Sequence, residues 1–186
     1  MTGMNDASSA QPRTETITLA GGCFWCLEAV YERVRGVVRV ESGYSNGHAV
    51  APNYEQVCSG NTGHAEVVRI EFDPQAVSLR ELLEVFFTIH DPTTLNRQGA
   101  DVGTQYRSAI YWSDPAHEAV AREVLGEVRA AHGGRVVTEF EPERNYSAAE
   151  AYHQHYYARH PDQGYCAFVV AGKVDKFLTT FRRLVK

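Results

Sequence analysis

The stretch TETITLAGGCFWCLEAVYERVR, residues 14–35, contains a strand, a turn and a helix in direct succession. Residues 14–19 alternate and are rich in Thr and Ile, which predicts a β-strand. The glycines of Ala20-Gly21-Gly22 indicate a turn. A helix is then predicted from Cys23 to Arg35, because apolar residues recur at three-and-four spacing until Gly36. A strand that leads directly into a helix is therefore the first unit of the fold.

The rest of the chain continues to interleave strands and helices. Further strands are predicted at residues 37–44, 65–72, 109–112 and 136–140. Further helices are predicted at residues 79–90, 115–132, 148–159 and 174–184, two of them opened by the capping boxes Ser78/Glu81 and Ser147/Glu150. Because some neighbouring elements are both strands, we expect an α+β fold, a two-layer α/β sandwich with a mixed sheet.

Length and charge limit the class of protein. With 186 residues, the chain fits one domain, expected at residues 14–186 after a polar, disordered leader at 1–13. A net charge of −5 argues against a nucleic-acid binder. No apolar run approaches the length of a membrane span, and the leader lacks the apolar region of a secretory signal, so no membrane association and a cytoplasmic location are expected.

Cys23 stands where the first strand ends and the helix begins. The first N–H groups of a helix are unpaired, and together with the helix dipole they stabilise an anion. We therefore expect a lowered pKa at Cys23 and a nucleophilic thiolate. The alternative is a buried structural cysteine, which is the common fate of a free thiol.

Cys26 lies one helical turn beyond Cys23. A Cys-x-x-Cys pair is typical of thiol-disulfide exchange or of half a zinc site. Zinc would need a second pair at similar spacing, whereas Cys58 and Cys166 are solitary, so no metal is expected. Nothing around Cys58 marks it as activated, while Cys166 follows Gly164-Tyr165 on a connection that we expect to be flexible.

Glu66 is out of place at the start of an otherwise apolar strand. If Glu66 points into a pocket, burial would raise its pKa and make it a proton donor near neutral pH, whereas on an edge strand it would simply be solvated. The polar, non-periodic stretch 91–108 is typical of a functional loop, and its Tyr106 can donate a hydrogen bond to a substrate oxygen. Phe24 and Trp25, at the start of the helix, cannot both face the core, so an exposed ring beside the thiol could hold a methyl group.

Taken together, these motifs resemble the A-type peptide methionine sulfoxide reductases over residues 17–186. The matching stretches keep the family's order along the chain: Gly22–Trp25, Gly43-Tyr44, Tyr54-Glu55, Gly63–Glu66, the run from Asp91 to Ser108, Ala149-Glu150, Tyr152–Gln154 and Gly164–Cys166. The resemblance implies a ferredoxin-like sandwich. It also implies reduction of the S-epimer of methionine sulfoxide, free or in proteins, with thioredoxin as reductant and no cofactor.

The resemblance also implies roles for single residues. They are the nucleophile Cys23, the methyl-holding aromatics Phe24 and Trp25, the acid Glu66, the oxygen-binding tyrosines Tyr54 and Tyr106, and the pocket residues Asp101 and His153. Cys23 would attack the sulfoxide sulfur while Glu66 protonates the oxygen. The resulting sulfenic acid would condense with a second thiol to a disulfide that thioredoxin reduces.

The identity of the second thiol stays open at this point, because Cys26 stands where many members have Gly. Cys166 matches the family's usual resolving position and is favoured over Cys26, whose disulfide with Cys23 would demand specific geometry. A general dithiol oxidoreductase working through Cys23 and Cys26 is the rival enzyme, and a non-catalytic redox sensor or methionine-binding module is the rival outside enzymes. Sulfoxide-dependent turnover separates these alternatives.

Overall fold

The computed structural model describes residues 13–186, so the predicted leader at 1–13 lies outside it except for Arg13. The strands are β1 (Glu15–Ala20), β2 (Val37–Ser45), β3 (Ala65–Phe72), β4 (Arg97–Gln98), β5 (Asp101–Val102), β6 (Ala109–Trp112), β7 (Glu139–Pro142) and β8 (Ser147–Ala148). The helices are α1 (Phe24–Tyr31), α2 (Tyr54–Cys58), α3 (Leu79–Ile89), α4 (Pro115–Ala131), α5 (Tyr156–Arg159) and α6 (Ala171–Thr180).

Six strands form one sheet in the order β7-β6-β1-β3-β2-β8, and β4 pairs with β5 in a separate ribbon. Every neighbouring pair in the six-stranded sheet is antiparallel except β6 and β7, which run parallel. The predicted mixed sheet and α+β class are thereby confirmed.

The main core lies on one face of this sheet. It contains apolar side chains of β1, β2, β3 and β6 together with those of α1, α3, α4 and α6. A small second cluster, built around Val67 and Tyr111, lies on the opposite face under Tyr146. No helix within residues 13–186 is both long and apolar enough to cross a membrane.

Side-chain N-caps fix the starts of α3 and α4, the helices that the sequence predicted best. Ser78 and Glu81 close a reciprocal capping box at the start of α3. Asp114 caps α4, whose first residue is Pro115. Helix α1 begins as predicted but ends earlier, at Tyr31, because the chain tightens into turns and Val34 bridges to Val185 near the C-terminus.

Two predictions in the last third of the chain are wrong. The helix predicted at 148–159 is replaced by β8, a 3₁₀ turn at Ala151–His153 and the one-turn helix α5. The flexible connection predicted at Cys166 is the start of a π-helix, Cys166–Val170, which leads directly into α6. In both places tertiary packing overrides the local pattern.

Candidate active site

Cys23 occupies the N-cap position of α1, directly after β1 and its glycine turn. Its backbone carbonyl accepts the first hydrogen bond of the helix, from the Cys26 N–H at 3.1 Å. The side chain is partly exposed, whereas Cys26, one turn later, is fully buried. The predicted placement of Cys23 at the strand-to-helix junction is therefore correct, and its thiol can meet a ligand.

The expected lowering of the Cys23 pKa is not found. Burial raises the pKa of the Cys23 thiol, as do its interaction with Cys26 and the charge of Glu66, while the Trp25 backbone N–H opposes them. The pKa of Cys26 is lowered, chiefly by a hydrogen bond from the Cys23 thiol. This effect outweighs burial, which would raise the pKa. Loss of hydration thus outweighs the helix N-terminus at Cys23, and the two thiols are close enough to act on each other.

Glu66 reaches the same helix terminus from the neighbouring strand β3. Its carboxylate accepts a hydrogen bond from the Phe24 N–H at 3.2 Å, and only 1% of the residue is exposed. Burial raises the Glu66 pKa to about 8 against this hydrogen bond, and the charges of Asp101 and Cys26 add to the effect. Glu66 is therefore a buried acid that holds its proton at neutral pH, and in this neutral form it does not oppose ionisation of Cys23.

Two tyrosines stand near this acid. Tyr54 begins α2, and its backbone N–H donates to Glu150 at 3.2 Å. Tyr106 closes a 3₁₀ turn at Thr104–Tyr106. Burial raises the pKa of both hydroxyls, and the charge of Glu66 raises them further. Both phenols thus remain protonated donors on the Glu66 side of the site.

An aromatic group encloses the other side. The Trp25 indole N–H donates to His153 Nδ1 at 3.1 Å, and the indole stacks on Tyr156 with ring centroids 3.7 Å apart. The His153 ring also packs against Phe24 at 5.0 Å and Tyr54 at 4.5 Å. Four of the residues carried over by resemblance, Phe24, Trp25, Tyr54 and His153, are therefore joined in one cluster beside Cys23.

Sequence reasoning missed Tyr165 as a member of this site. Its hydroxyl donates to Asp101 at 2.6 Å and lies 3.8 Å from the Cys26 sulfur, while its ring meets the edge of Trp25 at 6.1 Å. Tyr165 thus links the acidic side of the site to the second thiol. Tyr156 was missed as well, and in both cases the contact joins residues too far apart in sequence for a local pattern to reveal it.

The two remaining cysteines differ in position. Cys166 is fully buried. Burial raises the pKa of its thiol, and the charge of Cys26 raises it further. Cys58 is exposed at the end of α2, and partial burial of its thiol raises the pKa against the opposite effect of Tyr54. Two carboxylate-histidine groups within residues 13–186 have the spacing to hold a cation, and neither contains a cysteine: Glu15, Asp114 and His117, and Glu28, Glu32 and His155.

Comparison with known proteins agrees with this arrangement. The profile of the family described as peptide methionine sulfoxide reductase matches residues 15–184. Peptide methionine sulfoxide reductase MsrA of Polynucleobacter asymbioticus is 53% identical over 176 residues, which are 94% of this chain and 93% of that protein.

Two solved structures extend the agreement to the fold. Mxr1 from Saccharomyces cerevisiae in reduced form is 38% identical, with a TM-score of 0.77 over 83% of this chain and 90% of that one. Mxr1 in complex with Trx2 is 28% identical, with a TM-score of 0.55 over 81% of this chain and 91% of that one. With a profile match over nearly the whole chain and relatives of this similarity, the chain belongs to the peptide methionine sulfoxide reductase family.

Proposed function

We propose that this chain reduces the S-epimer of methionine sulfoxide, free or in proteins, to methionine. The observation that carries the proposal is the meeting of a thiol and an acid at one helix terminus. Cys23 caps α1, and the next backbone N–H of that helix binds the buried carboxyl group of Glu66. A sulfoxide needs a nucleophile for its sulfur and a proton for its oxygen, and these two groups supply both.

In the first step the Cys23 thiolate attacks the sulfoxide sulfur. Glu66, with a pKa of about 8, gives its proton to the oxygen as the S–O bond polarises. Tyr54 and Tyr106 donate hydrogen bonds to the same oxygen, and Phe24 and Trp25 hold the methyl group. The oxygen passes to Cys23 as a sulfenic acid, and methionine leaves.

In the second step another thiol attacks the sulfenic acid, giving a disulfide and water. The sequence favoured Cys166 for this role because its connection was expected to move. Cys166 begins a π-helix and interacts with Cys26, whereas Cys23 interacts directly with Cys26, and this difference favours Cys26 as the first partner. Cys23 at the N-cap with Cys26 one turn inside the helix is also a favourable setting for a reactive Cys-x-x-Cys pair.

Peptide mapping tests this order of thiols. After one equivalent of sulfoxide, we expect a Cys23–Cys26 disulfide in the wild-type protein. Cys26→Ser should still release one methionine per enzyme but accumulate sulfenic acid, while Cys166→Ser should form the disulfide normally. A Cys23–Cys166 bond in the wild type, with Cys166→Ser unable to recycle, would return the resolving role to Cys166.

Thioredoxin is the proposed reductant of the disulfide, because its potential of about −270 mV favours the exchange. The solved complex of the similar protein Mxr1 with Trx2 supports this choice. The decisive assay follows thioredoxin-dependent turnover on separated S- and R-sulfoxides. We expect turnover on the S-epimer alone. Disulfide exchange without sulfoxide-dependent turnover would instead favour the general dithiol oxidoreductase.

The finer architecture that we propose is a single ferredoxin-like catalytic domain over residues 14–186. Four core strands, in the order β6-β1-β3-β2 and connected as β1-α1-β2-β3-α3-β6, support it, because this is the split β-α-β arrangement of that fold. Limited proteolysis should leave one resistant fragment that contains residues 14–186. Two separable fragments would contradict a single domain.

We place the enzyme in the cytoplasm. All four cysteines are unbonded, and thioredoxin-dependent recycling requires a compartment that keeps thiols reduced. Fractionation with an antibody against the native protein should find it with soluble cytoplasmic markers. Recovery with an exported marker would contradict this location.

A further inference from the structure

An open groove runs between α3, segment 91–98 and α6. It has a volume of about 630 Å³, within the range of ligand sites, about 300–1,000 Å³. Three positively charged side chains line the groove: Arg135, Lys173 and Lys176. None of them forms an ion pair with a carboxylate of residues 13–186. In a chain of net charge −5, the groove is therefore a local basic surface whose charges are available to a ligand.

The other titratable groups of this basic groove do not cancel its charge. Asp91 is the one carboxylate among the lining residues, and its Oδ1 accepts from the N–H and the hydroxyl of Thr93 at 2.9 and 2.6 Å. His90 is buried, and burial lowers its pKa to about 4, so it is uncharged at neutral pH. His132 also lines the groove, and a histidine can add only positive charge. The groove therefore favours an anionic ligand.

The basic groove approaches the two thiols from both of its walls. On one wall, the Gln98 side chain packs so closely on Gly22 that a Cβ there would lie 2.7 Å from the Gln98 Cγ. Gly22 directly precedes Cys23. On the other wall, the charge of Lys173 acts on Cys26 and lowers the pKa of its thiol. When a peptide is held at Cys23, the residues that flank its sulfoxide are therefore within reach of the groove.

Apolar side chains border the same groove near the start of α6. Val169 lines it and is 38% exposed, and the neighbouring Phe168 is 86% exposed. Both belong to the π-helix that begins at Cys166, directly after Tyr165 of the candidate site. A peptide can offer apolar and charged side chains to such a surface together, whereas a small inorganic anion can use only the charges. The surface therefore fits an acidic polypeptide.

We infer that the basic groove binds acidic side chains of an oxidised polypeptide, two or three residues away from its methionine sulfoxide. This inference rests on the proposed function and deepens it, because it selects among the sulfoxides in proteins. An extended peptide advances about 3.3–3.6 Å per residue, so such side chains start roughly 7–11 Å along the chain from the sulfoxide. The groove binds the flanking residues and does not touch the reacting atoms. A blocked methionine sulfoxide without flanking residues should therefore be reduced independently of it.

Charge reversal at Lys176 tests the groove without touching the thiols. Lys176→Glu changes an exposed side chain of α6, whereas Lys173 stays as it is because its charge also acts on Cys26. Arg182→Glu is the matched control, since it makes the same change of charge at an exposed position that does not line the groove. The substrates are N-acetyl methionine sulfoxide amide and three S-sulfoxide peptides, which carry Asp, Asn or Lys two and three residues from the sulfoxide on both sides. Single turnovers without thioredoxin report reduction of the substrate alone.

At low enzyme concentration, we expect the wild type to reduce the Asp peptide about three- to five-fold faster than the Asn peptide, the usual worth of exposed charge pairs, and the Lys peptide more slowly still. At about 1 M salt, where the screening length is about 3 Å, the three rates should converge. Lys176→Glu should remove the preference for Asp, and Arg182→Glu should keep it. Both variants should reduce the blocked sulfoxide within about twofold of wild type, as exposed substitutions usually do. Arg135→Glu repeats the test if Lys176→Glu fails to fold.

Equal rates for the Asp and Asn peptides in the wild type, or an undiminished preference in Lys176→Glu, would overturn the inference. An undiminished preference together with a higher KM for thioredoxin in Lys176→Glu would mean that the groove binds the reductant instead. A wild type unable to reduce the blocked sulfoxide would refute the proposed function, and fluorescence anisotropy of labelled peptides would still decide whether the groove prefers Asp over Asn.

Discussion

The start of α1 and the segment 147–159 both build the candidate site, yet different bonds hold them. Cys23 follows β1, a central strand paired on both sides with β3 and β6. Segment 147–159 has only two strand residues, Ser147 and Ala148, and short turns after them. The thiol is therefore carried by regular structure, whereas His153 and Tyr156, which pack on Trp25, come from an irregular segment.

Side chains replace backbone pairing in that segment. The Gln154 carboxamide accepts from the Ser42 N–H at 2.9 Å and donates to the Ser42 carbonyl at 2.8 Å, as a paired strand residue would. Arg159 donates to the carbonyls of Tyr152 at 2.8 Å and Gln154 at 2.7 Å. A few side chains thus set the position of His153 and of Tyr156.

This difference separates chemistry from binding. Substitutions of Cys23 and Glu66 should act on the chemical step, because they change the reacting groups and leave the aromatic side chains in place. Substitutions in segment 147–159 should act on substrate binding, because the thiol and Glu66 remain in place. Kinetic constants measured for variants of each region test the separation directly.

The largest effect is expected for Cys23→Ser, which should abolish reduction in every assay. A hydroxyl is far less ionised than a thiol and cannot form the sulfenic acid. Methionine released in a single turnover, measured by chromatography, checks the prediction, with Cys58→Ser as the matched control. Robust activity in purified Cys23→Ser would end the proposal.

Glu66→Gln should lower the rate of the sulfoxide step by about 10²–10⁴-fold, the usual range for general acid catalysis. Because the Glu66 pKa is raised to about 8, the wild-type rate should fall above that pH as the proton is lost. Stopped-flow single turnovers across pH measure both effects. A variant within about threefold of wild type, or one that keeps the alkaline decline, would show that the proton comes from elsewhere.

The same substitution should stabilise the fold at alkaline pH. The Glu66 pKa rises from its ordinary 4.5 to about 8 on folding, so between these values the unfolded chain releases a proton that the folded chain keeps. The free energy of unfolding of the wild type therefore decreases as pH rises from about 4.5 to about 8. Urea unfolding should show Glu66→Gln gaining relative to wild type from about pH 4 to about pH 8 and levelling off above. A constant difference across pH would contradict the buried acid.

The contrast between the two regions also explains what the sequence could predict. Strand alternation, the glycine turn and the position of Cys23 at the N-cap are local, and each was correct. Ser147 and Glu150 matched a capping box equally well, but Ser147 pairs with Tyr44 in the sheet, and Glu150 accepts from the Tyr44 hydroxyl at 3.0 Å. A local pattern cannot show which long-range partner competes for the same side chain.

Gln154→Ala should raise KM about five- to ten-fold, with kcat close to wild type, because it removes the bonds to Ser42 and one to the Ala149 carbonyl. Steady-state kinetics on an S-sulfoxide peptide measure the change. Gln163→Ala is the control, because Gln163 lies outside segment 147–159 and accepts a hydrogen bond from the Cys166 N–H. A loss confined to kcat would mean that segment 147–159 controls the chemistry rather than binding.

The smallest effect is expected at Cys58, which sits beside the site without belonging to either region. It is exposed, and its link to the site is the hydrogen bond from the Tyr54 hydroxyl. Serine can accept the same bond, so Cys58→Ser should keep single-turnover and thioredoxin-driven rates within about twofold, as exposed substitutions usually do. Cys58→Val removes the acceptor and should lower only the sulfoxide step, by freeing the Tyr54 hydroxyl to turn away. If Cys58→Ser released its first methionine normally but failed to recycle, Cys58 would be a resolving thiol, and the disulfide would have to form across the pocket instead of along α1.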